Sequence, residues 1–88
     1  MKVVYSKGFL KAVALLPERI QQKLDELIAL LADDPFHPLL HTKRLSGSLS
    51  QFYAFRITRE WRVIFSFELN ETIRLVKVGH RKDVYGQI

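Results

Sequence analysis

The residues with chemical potential crowd into the second half of this chain. Lys43 and Arg44 stand side by side, and Arg56, Arg59 and Arg62 follow at intervals of three. His80, Arg81, Lys82 and Tyr85 close the sequence as a compact run. Such a set suits a phosphodiester. When RNA is cleaved through its own ribose, the 2′-hydroxyl attacks the adjacent phosphate and negative charge builds on a pentacoordinate phosphorus. Fixed arginine and lysine stabilise that charge more than they stabilise the ground state. A group that removes the 2′-proton and one that protonates the leaving oxygen complete the reaction, and a phenol, an imidazole or a lysine serves for either. This chemistry needs neither metal nor cofactor, and the sequence offers no convincing metal-ligand cluster.

The charge distribution agrees. The chain carries a formal charge of +5. In residues 1–40, Lys2, Lys7, Lys11, Arg19 and Lys23 are balanced by Glu18, Asp25, Glu26, Asp33 and Asp34. The excess therefore lies wholly beyond residue 40, where nine Lys and Arg face only Glu60, Glu68, Glu71 and Asp83. A one-sided excess is the footprint of a polyanion binder, although basic domains are also often merely soluble.

Size and composition set the frame for these side chains. A length of 88 residues gives room for one domain, expected to span 1–88, with one modest core. Such a domain is stable by only about 5 kcal/mol, so a partner that binds the folded state would stabilise it appreciably. There is no cysteine. Disulfides and thiolate metal sites are thereby excluded, and a reducing compartment is the natural home. The opening Met1-Lys2-Val3-Val4-Tyr5 is too short for a signal peptide, and no apolar run approaches the roughly 20 residues that cross a bilayer. The expectation is a cytoplasmic protein with no membrane association.

The positioning elements follow from periodicity. Lys2–Tyr5 reads as a strand, and Ser6 as the cap of a first helix. Phe9, Leu10, Val13 and Leu16 recur at helical spacing, until Pro17 stops that helix and suits the first turn of the next. Ile20, Leu24, Leu27, Ile28 and Leu31 form a second apolar stripe. Two prolines, Pro35 and Pro38, end the helical region, and Gly47 marks a turn. From Phe52 the period becomes two. Tyr53, Phe55 and Ile57 form one apolar row, and Trp61, Val63, Phe65 and Phe67 form another. A third strand spans Thr72–Val78 after a turn at Glu68–Glu71. Its faces are ambiguous, with Ile73 and Leu75 on one and Val76 and Val78 on the other. The fold class is α+β in the order β-α-α-β-β-β, a two-helix hairpin packed on one face of a small, mainly antiparallel sheet. The helices should bury the two aromatic rows, which leaves Arg56 and Arg62 on the opposite face. Lys43 and Arg44 precede this meander, and His80 to Tyr85 follow it, so the cations converge if its ends meet.

Blander readings stand beside these. A strand arginine is more often a solvated outer-face residue than a phosphate clamp, and Arg74 and Lys77 fit that description. His37 and His41 belong to a proline-rich loop. Trp61 reads as core, Glu60 as a solvated turn carboxylate, and Tyr85 as either a site residue or a cap on the core edge.

Three blocks in order make a more specific pattern. They are Lys43-Arg44-Leu45-Ser46-Gly47, the stretch Phe55 to Phe65 with Arg56 and Arg62, and Val78-Gly79-His80-Arg81-Lys82-Asp83-Val84-Tyr85. Together they resemble the RelE/ParE toxin superfamily of bacterial toxin–antitoxin systems over essentially the whole chain. The resemblance implies two helices on an antiparallel sheet, and a cytoplasmic toxin inhibited by a cognate antitoxin protein. For the RelE and YafQ-like branches it implies a metal-independent endoribonuclease that cuts mRNA on the ribosome. It places Lys43, Arg56, Arg62, Arg81 and Tyr85 at catalytic positions: Arg62 at the scissile phosphate, Arg81 supporting charge or the leaving group, and Tyr85 against the substrate base. Arg44, Arg59, His80 and Lys82 are the accompanying RNA-binding residues. Neither Lys43 nor Tyr85 can be singled out as the base. Only Gly86, Gln87 and Ile88 follow Tyr85, so no further helix is expected there. The same superfamily contains ParE-like poisons of DNA gyrase, and a degenerate member that only binds antitoxin is a third possibility. Arg62, Arg81 and Tyr85 together favour the nuclease.

Overall fold

A strand pairing far apart in sequence organises the molecule. In a computed structural model, which describes residues 1–86, β1 (Lys2–Tyr5) lies parallel to β5 (Thr72–His80), with Val3 opposite Ile73. Between them in sequence come α1 (Lys7–Ala14), α2 (Glu18–Asp33), β2 (Lys43–Arg44), β3 (Tyr53–Arg56) and β4 (Trp61–Glu68). The five strands form one sheet in the order β1-β5-β4-β3-β2, and every pairing except β1 with β5 is antiparallel. The two-residue β2 was not anticipated as a strand. It pairs Lys43 with Ala54 and Arg44 with Tyr53, and so ends the sheet in a short edge.

Ser6 does more than begin α1. Its Oγ accepts the Phe9 N–H at 3.0 Å, and its hydroxyl donates to the Val76 carbonyl at 3.0 Å. One side chain thus caps the helix and ties it to β5. Pro17 stands immediately before α2, one position earlier than its expected place in the first turn. The Gln21 side-chain amide donates to the carbonyls of Val13 and Leu16 at 2.9 and 3.0 Å, tying the first turn of α2 to the bend that ends α1. Along α2, Ile20, Leu24, Leu27 and Leu31 are buried, as their spacing requires.

These stripes meet the sheet's inner face. Phe55, Ile57, Val63 and Phe65 are fully enclosed, and Tyr53, Trp61 and Phe67 pack partly buried against the same core. Leu75 opposes Phe65, but Lys77 opposes Ile64, so Val76 is an extra residue in β5. This bulge resolves the ambiguity of the third strand, because it shifts the alternation by one. Ile73, Leu75 and Val78 all enter the core, whereas strict alternation would put Val78 on the opposite face. No helix among the described residues is long and apolar enough to cross a membrane. Gln87 and Ile88 lie outside the described residues.

Candidate functional site

The outer face of the sheet reads directly from the register. Residues opposite one another in a ladder share a face. One outer row is therefore Lys43, Ala54, Ile64 and Lys77, and the next is Arg56, Arg62 and Gly79. The sequence leads one to expect this face to be open, but its middle is covered. Ala54, Ile64 and Val84 are buried outside the main core. The chain after β5 turns back over the sheet, and Val84 settles above Gly79, where a Cβ would lie 3.7 Å from that of Val84. The Lys77 ammonium donates to the Gly86 carbonyl and holds the end of this turn.

The returning turn buries Arg62, which is only 9% exposed instead of being displayed. Its Nε and Nη2 donate to the Arg59 carbonyl at 3.2 and 3.0 Å, and its Nη1 donates to the Tyr85 hydroxyl at 3.3 Å. Its hydrogen-bond partners among the described residues are thus neutral oxygens. Three of its five N–H groups are engaged by the described residues, and the other two can serve another acceptor. A buried guanidinium is ordinarily paired with a carboxylate, because an unpaired buried charge is costly. Here a backbone turn and a phenol orient the cation, and no carboxylate among the described residues pairs with it.

The loop between β3 and β4 builds this arrangement. Thr58 Oγ1 accepts the N–H groups of Glu60 and Trp61, each at 3.3 Å, and folds the loop so that the Arg59 carbonyl turns towards Arg62. The Glu60 carbonyl accepts the Arg81 N–H at 2.7 Å. This bond joins the loop to the C-terminal turn, so the backbones carrying Arg59, Arg62, Arg81 and Tyr85 are held together. The side chains of Arg59, Arg81 and Lys82 are exposed around the junction, while Tyr85 is half-buried.

Other expected site residues lie apart. Lys43 shares the outer face, but Arg44 belongs to the inner row at the sheet edge, and its Nε donates to the Ser50 carbonyl at 2.6 Å. His80 opposes Trp61 and meets it edge-to-face at 5.5 Å, which puts it on the opposite face from Arg62. Its Nδ1 accepts the Lys82 N–H at 3.2 Å. Arg56 pairs with Arg62 in register but is exposed and lines a cleft of about 290 Å³ at the sheet edge. Lys23, His41 and Arg59 share that cleft, and Lys23 had no apparent role in the sequence. Nothing local to α2 could reveal it, because its place depends on how the helix crosses β3. A second cleft, of about 480 Å³, lies between Phe52, Ser66, Glu68 and Arg74 at the other end of the outer face. Among the described residues, no group of three or more His, Asp or Glu side chains is gathered to hold a metal ion.

The family model for the ParE toxin of type II toxin–antitoxin systems matches residues 3–85. The chain belongs to the ParE toxin family. The match takes in the outer-face rows, the β3–β4 loop and Tyr85 in one span. Solved structures share the fold of this ParE-family toxin at low identity. The YoeB/ParE toxin from Agrobacterium tumefaciens superposes with a TM-score of 0.80 at 20% identity, over 92% of this chain and 99% of that one. The toxin–antitoxin complex DinJ-YafQ of E. coli gives 0.77 at 21% identity, over 97% of each chain. The archaeal RelE-RelB complex from Pyrococcus horikoshii gives 0.76 at 23%, over 99% and 97%. A search of curated protein sequences found no match.

Proposed function

We propose that this toxin is a ribosome-dependent mRNA endonuclease that blocks translation in the cytoplasm. The observation that carries the reading is Arg62, a residue only 9% exposed whose guanidinium is aimed by the Arg59 carbonyl and the Tyr85 hydroxyl. In the proposed reaction the scissile phosphate takes the free N–H groups of Arg62, so the charge that develops on phosphorus meets a cation already in place. Tyr85 holds its phenol beside that cation, where it can pass a proton to the leaving oxygen or orient the substrate base. Arg81 supports the departing charge. Lys43 and Arg56 complete the cationic outer face, and Arg59 and Lys82 contribute to holding RNA around it, whereas Arg44 and His80, expected from the sequence to join them, lie on the inner face and are left out of this role. Neither Lys43 nor Tyr85 is set apart as the base; the ribosome supplies the remaining orientation of the RNA.

The test is a translation extract programmed with a defined mRNA. Wild type should cut ribosome-bound message. Tyr85→Phe combined with Arg81→Ala should lose about 10²-fold or more of that cleavage with an unchanged circular dichroism spectrum. A second reading is DNA gyrase poisoning, favoured by the ParE identity of the matching family model. Intact mRNA together with inhibited supercoiling would decide for it. A degenerate toxin that only binds antitoxin would show neither effect.

The reading includes a cognate antitoxin, as in the DinJ-YafQ and RelE-RelB complexes. An acidic or amphipathic segment would neutralise the arginine-rich face, and the sheet edges at β1 and β2 invite strand addition. Affinity that falls steeply with salt, and drops in Arg81→Ala, is the expected signature. Indifference to both would move the partner to the helices.

A further inference from the structure

The cleft at the β3 edge has a composition that the scissile-phosphate site does not explain. Three cationic residues and a histidine line it from separate parts of the chain: Lys23 from α2, Arg56 from β3, Arg59 from the β3–β4 loop, and His41 after the proline-rich loop. None of the residues that line it is acidic. Glu26, one helical turn beyond Lys23, does not line it. Lys23, Arg56 and Arg59 share this cleft with no acidic neighbour in its lining, which makes its local potential favourable to an anion.

The backbone is also committed to this grouping. His41 has a left-handed conformation, with φ of 51°, at the end of the short helical turn Pro38–Leu40. A non-glycine residue there carries strain, and strain held at a cleft is a mark of use. Leu39, 66% exposed, provides an apolar wall suited to a ribose or a base beside a charged group.

Position links the cleft to Arg62. Because β2 pairs with β3 only at Tyr53 and Ala54, the Arg56 end of the sheet edge is left open. Arg56 lies opposite Arg62 in the ladder, one strand spacing of about 4.8 Å away. An RNA strand with one phosphate at Arg62 can therefore cross β3 and place a neighbouring phosphate in the cleft. We infer that the cleft formed by Lys23, His41, Arg56 and Arg59 is a second phosphate site, which grips the RNA backbone beside the scissile phosphate. The inference rests on the RNA-cleaving reading of the neighbouring site. Lys23 and His41 bind there without taking part in chemistry.

The experiment uses the complete protein and a fluorescein-labelled RNA hexamer that is 2′-O-methylated throughout and so cannot be cut. Fluorescence anisotropy gives Kd from 50 to 200 mM salt. Losing one phosphate contact should make the plot of log affinity against log salt shallower by about 0.7. Lys23→Gln should show that change, which is about a 2.6-fold smaller loss of affinity across the range. It should also bind more weakly at 50 mM salt. His41→Asn, which tolerates the left-handed backbone, should weaken binding in the same direction. Lys11→Gln, on the helix that packs against β5, should leave the slope at its wild-type value.

An unchanged slope in Lys23→Gln, or an equal change in Lys11→Gln, would overturn the inference. So would a wild-type protein that does not bind the hexamer. If Lys23→Gln spared RNA but weakened an acidic antitoxin peptide, the cleft would be a carboxylate site and the inference would again fall. Failure of the nuclease reading appears elsewhere, as intact message in the translation extract while hexamer binding persists.

Discussion

Replacing Arg62 with methionine should cost the protein its activity without costing it stability. The structure lets the balance be worked. The wild-type guanidinium makes three hydrogen bonds, all to neutral oxygens, and the one to Tyr85 is long at 3.3 Å. Each contributes on the order of 1.5 kcal/mol as a charged donor. Against this stands the cost of burying an arginine that is 9% exposed and has no carboxylate partner among the described residues, on the order of several kcal/mol. Methionine has similar length and no charge, and it extends the apolar surface of Ile64. Neither former acceptor is stranded: Arg59 is exposed, so its carbonyl can bind water, and Tyr85 is half-buried at the surface. The expected result is Arg62→Met equal to wild type or more stable by roughly 1–2 kcal/mol, which is about 4–8 °C in Tm per kcal/mol for a domain of this size.

Urea unfolding followed by the fluorescence of Trp61, the only tryptophan, measures the difference. Inorganic phosphate supplies the second measurement. At ten times its Kd it should stabilise wild type by about 1.4 kcal/mol and leave Arg62→Met unmoved. A loss of more than about 2 kcal/mol in Arg62→Met, with equal phosphate effects on both proteins, would make the arginine a structural strut and refute the reasoning.

Ser6 should behave as two contacts in one: Ser6→Ala should cost about 2 kcal/mol in urea unfolding, at the upper end for a helix cap, because Val76 also loses its donor. Ser6→Asp keeps the cap but cannot donate to Val76, so its stability should fall between the two. Gly79→Ala should be tolerated or stabilising by about 0.5 kcal/mol, since the added Cβ would sit in ordinary contact with Val84; Gly79→Val should instead push the C-terminal turn away and lower activity. Ile64→Ala should cost about 2–4 kcal/mol, as expected of a buried outer-face residue and not of a solvated one.

How legible each feature was depends on how local its cause is. The stripe from Ile20 to Leu31 and the rows through Phe55 and Phe65 are properties of neighbouring residues, and both are found where the periodicity puts them. The parallel pairing of β1 with β5 joins residues some seventy positions apart, and neither strand carries a local mark of it. At two residues, β2 is too short for any period. The Val76 bulge reversed the apparent face of Val78 because alternation assumes an uninterrupted ladder. The same ladder puts His80 beside Trp61 and away from Arg62. One clue to the covered outer face was present in the sequence. Val84 is an apolar residue within a charged run, next to a tyrosine and five residues after Gly79, the pattern of a tail that folds back onto a strand with room for it.

That fold-back gives the site its electrostatic character. On an open sheet Arg62 would be one more solvated surface cation, and its attraction to a phosphate would be weakened by water and salt. The turn from Arg81 to Gly86 removes much of that water. It places Tyr85 on Nη1, while the β3–β4 loop places the Arg59 carbonyl on Nε and Nη2. The Arg81 N–H bond to Glu60 couples the two segments, so the turn that buries the cation and the loop that aims it form one structure. A domain of this size keeps a buried cation that no carboxylate among the described residues pairs with, and that is understandable if the compensating charge arrives from outside. On the function proposed above, a substrate phosphate would supply it during action, and an antitoxin carboxylate would supply it at rest. Either anion would stabilise the folded toxin by mass action, so under that proposal inhibition and catalysis would compete for the one guanidinium of Arg62.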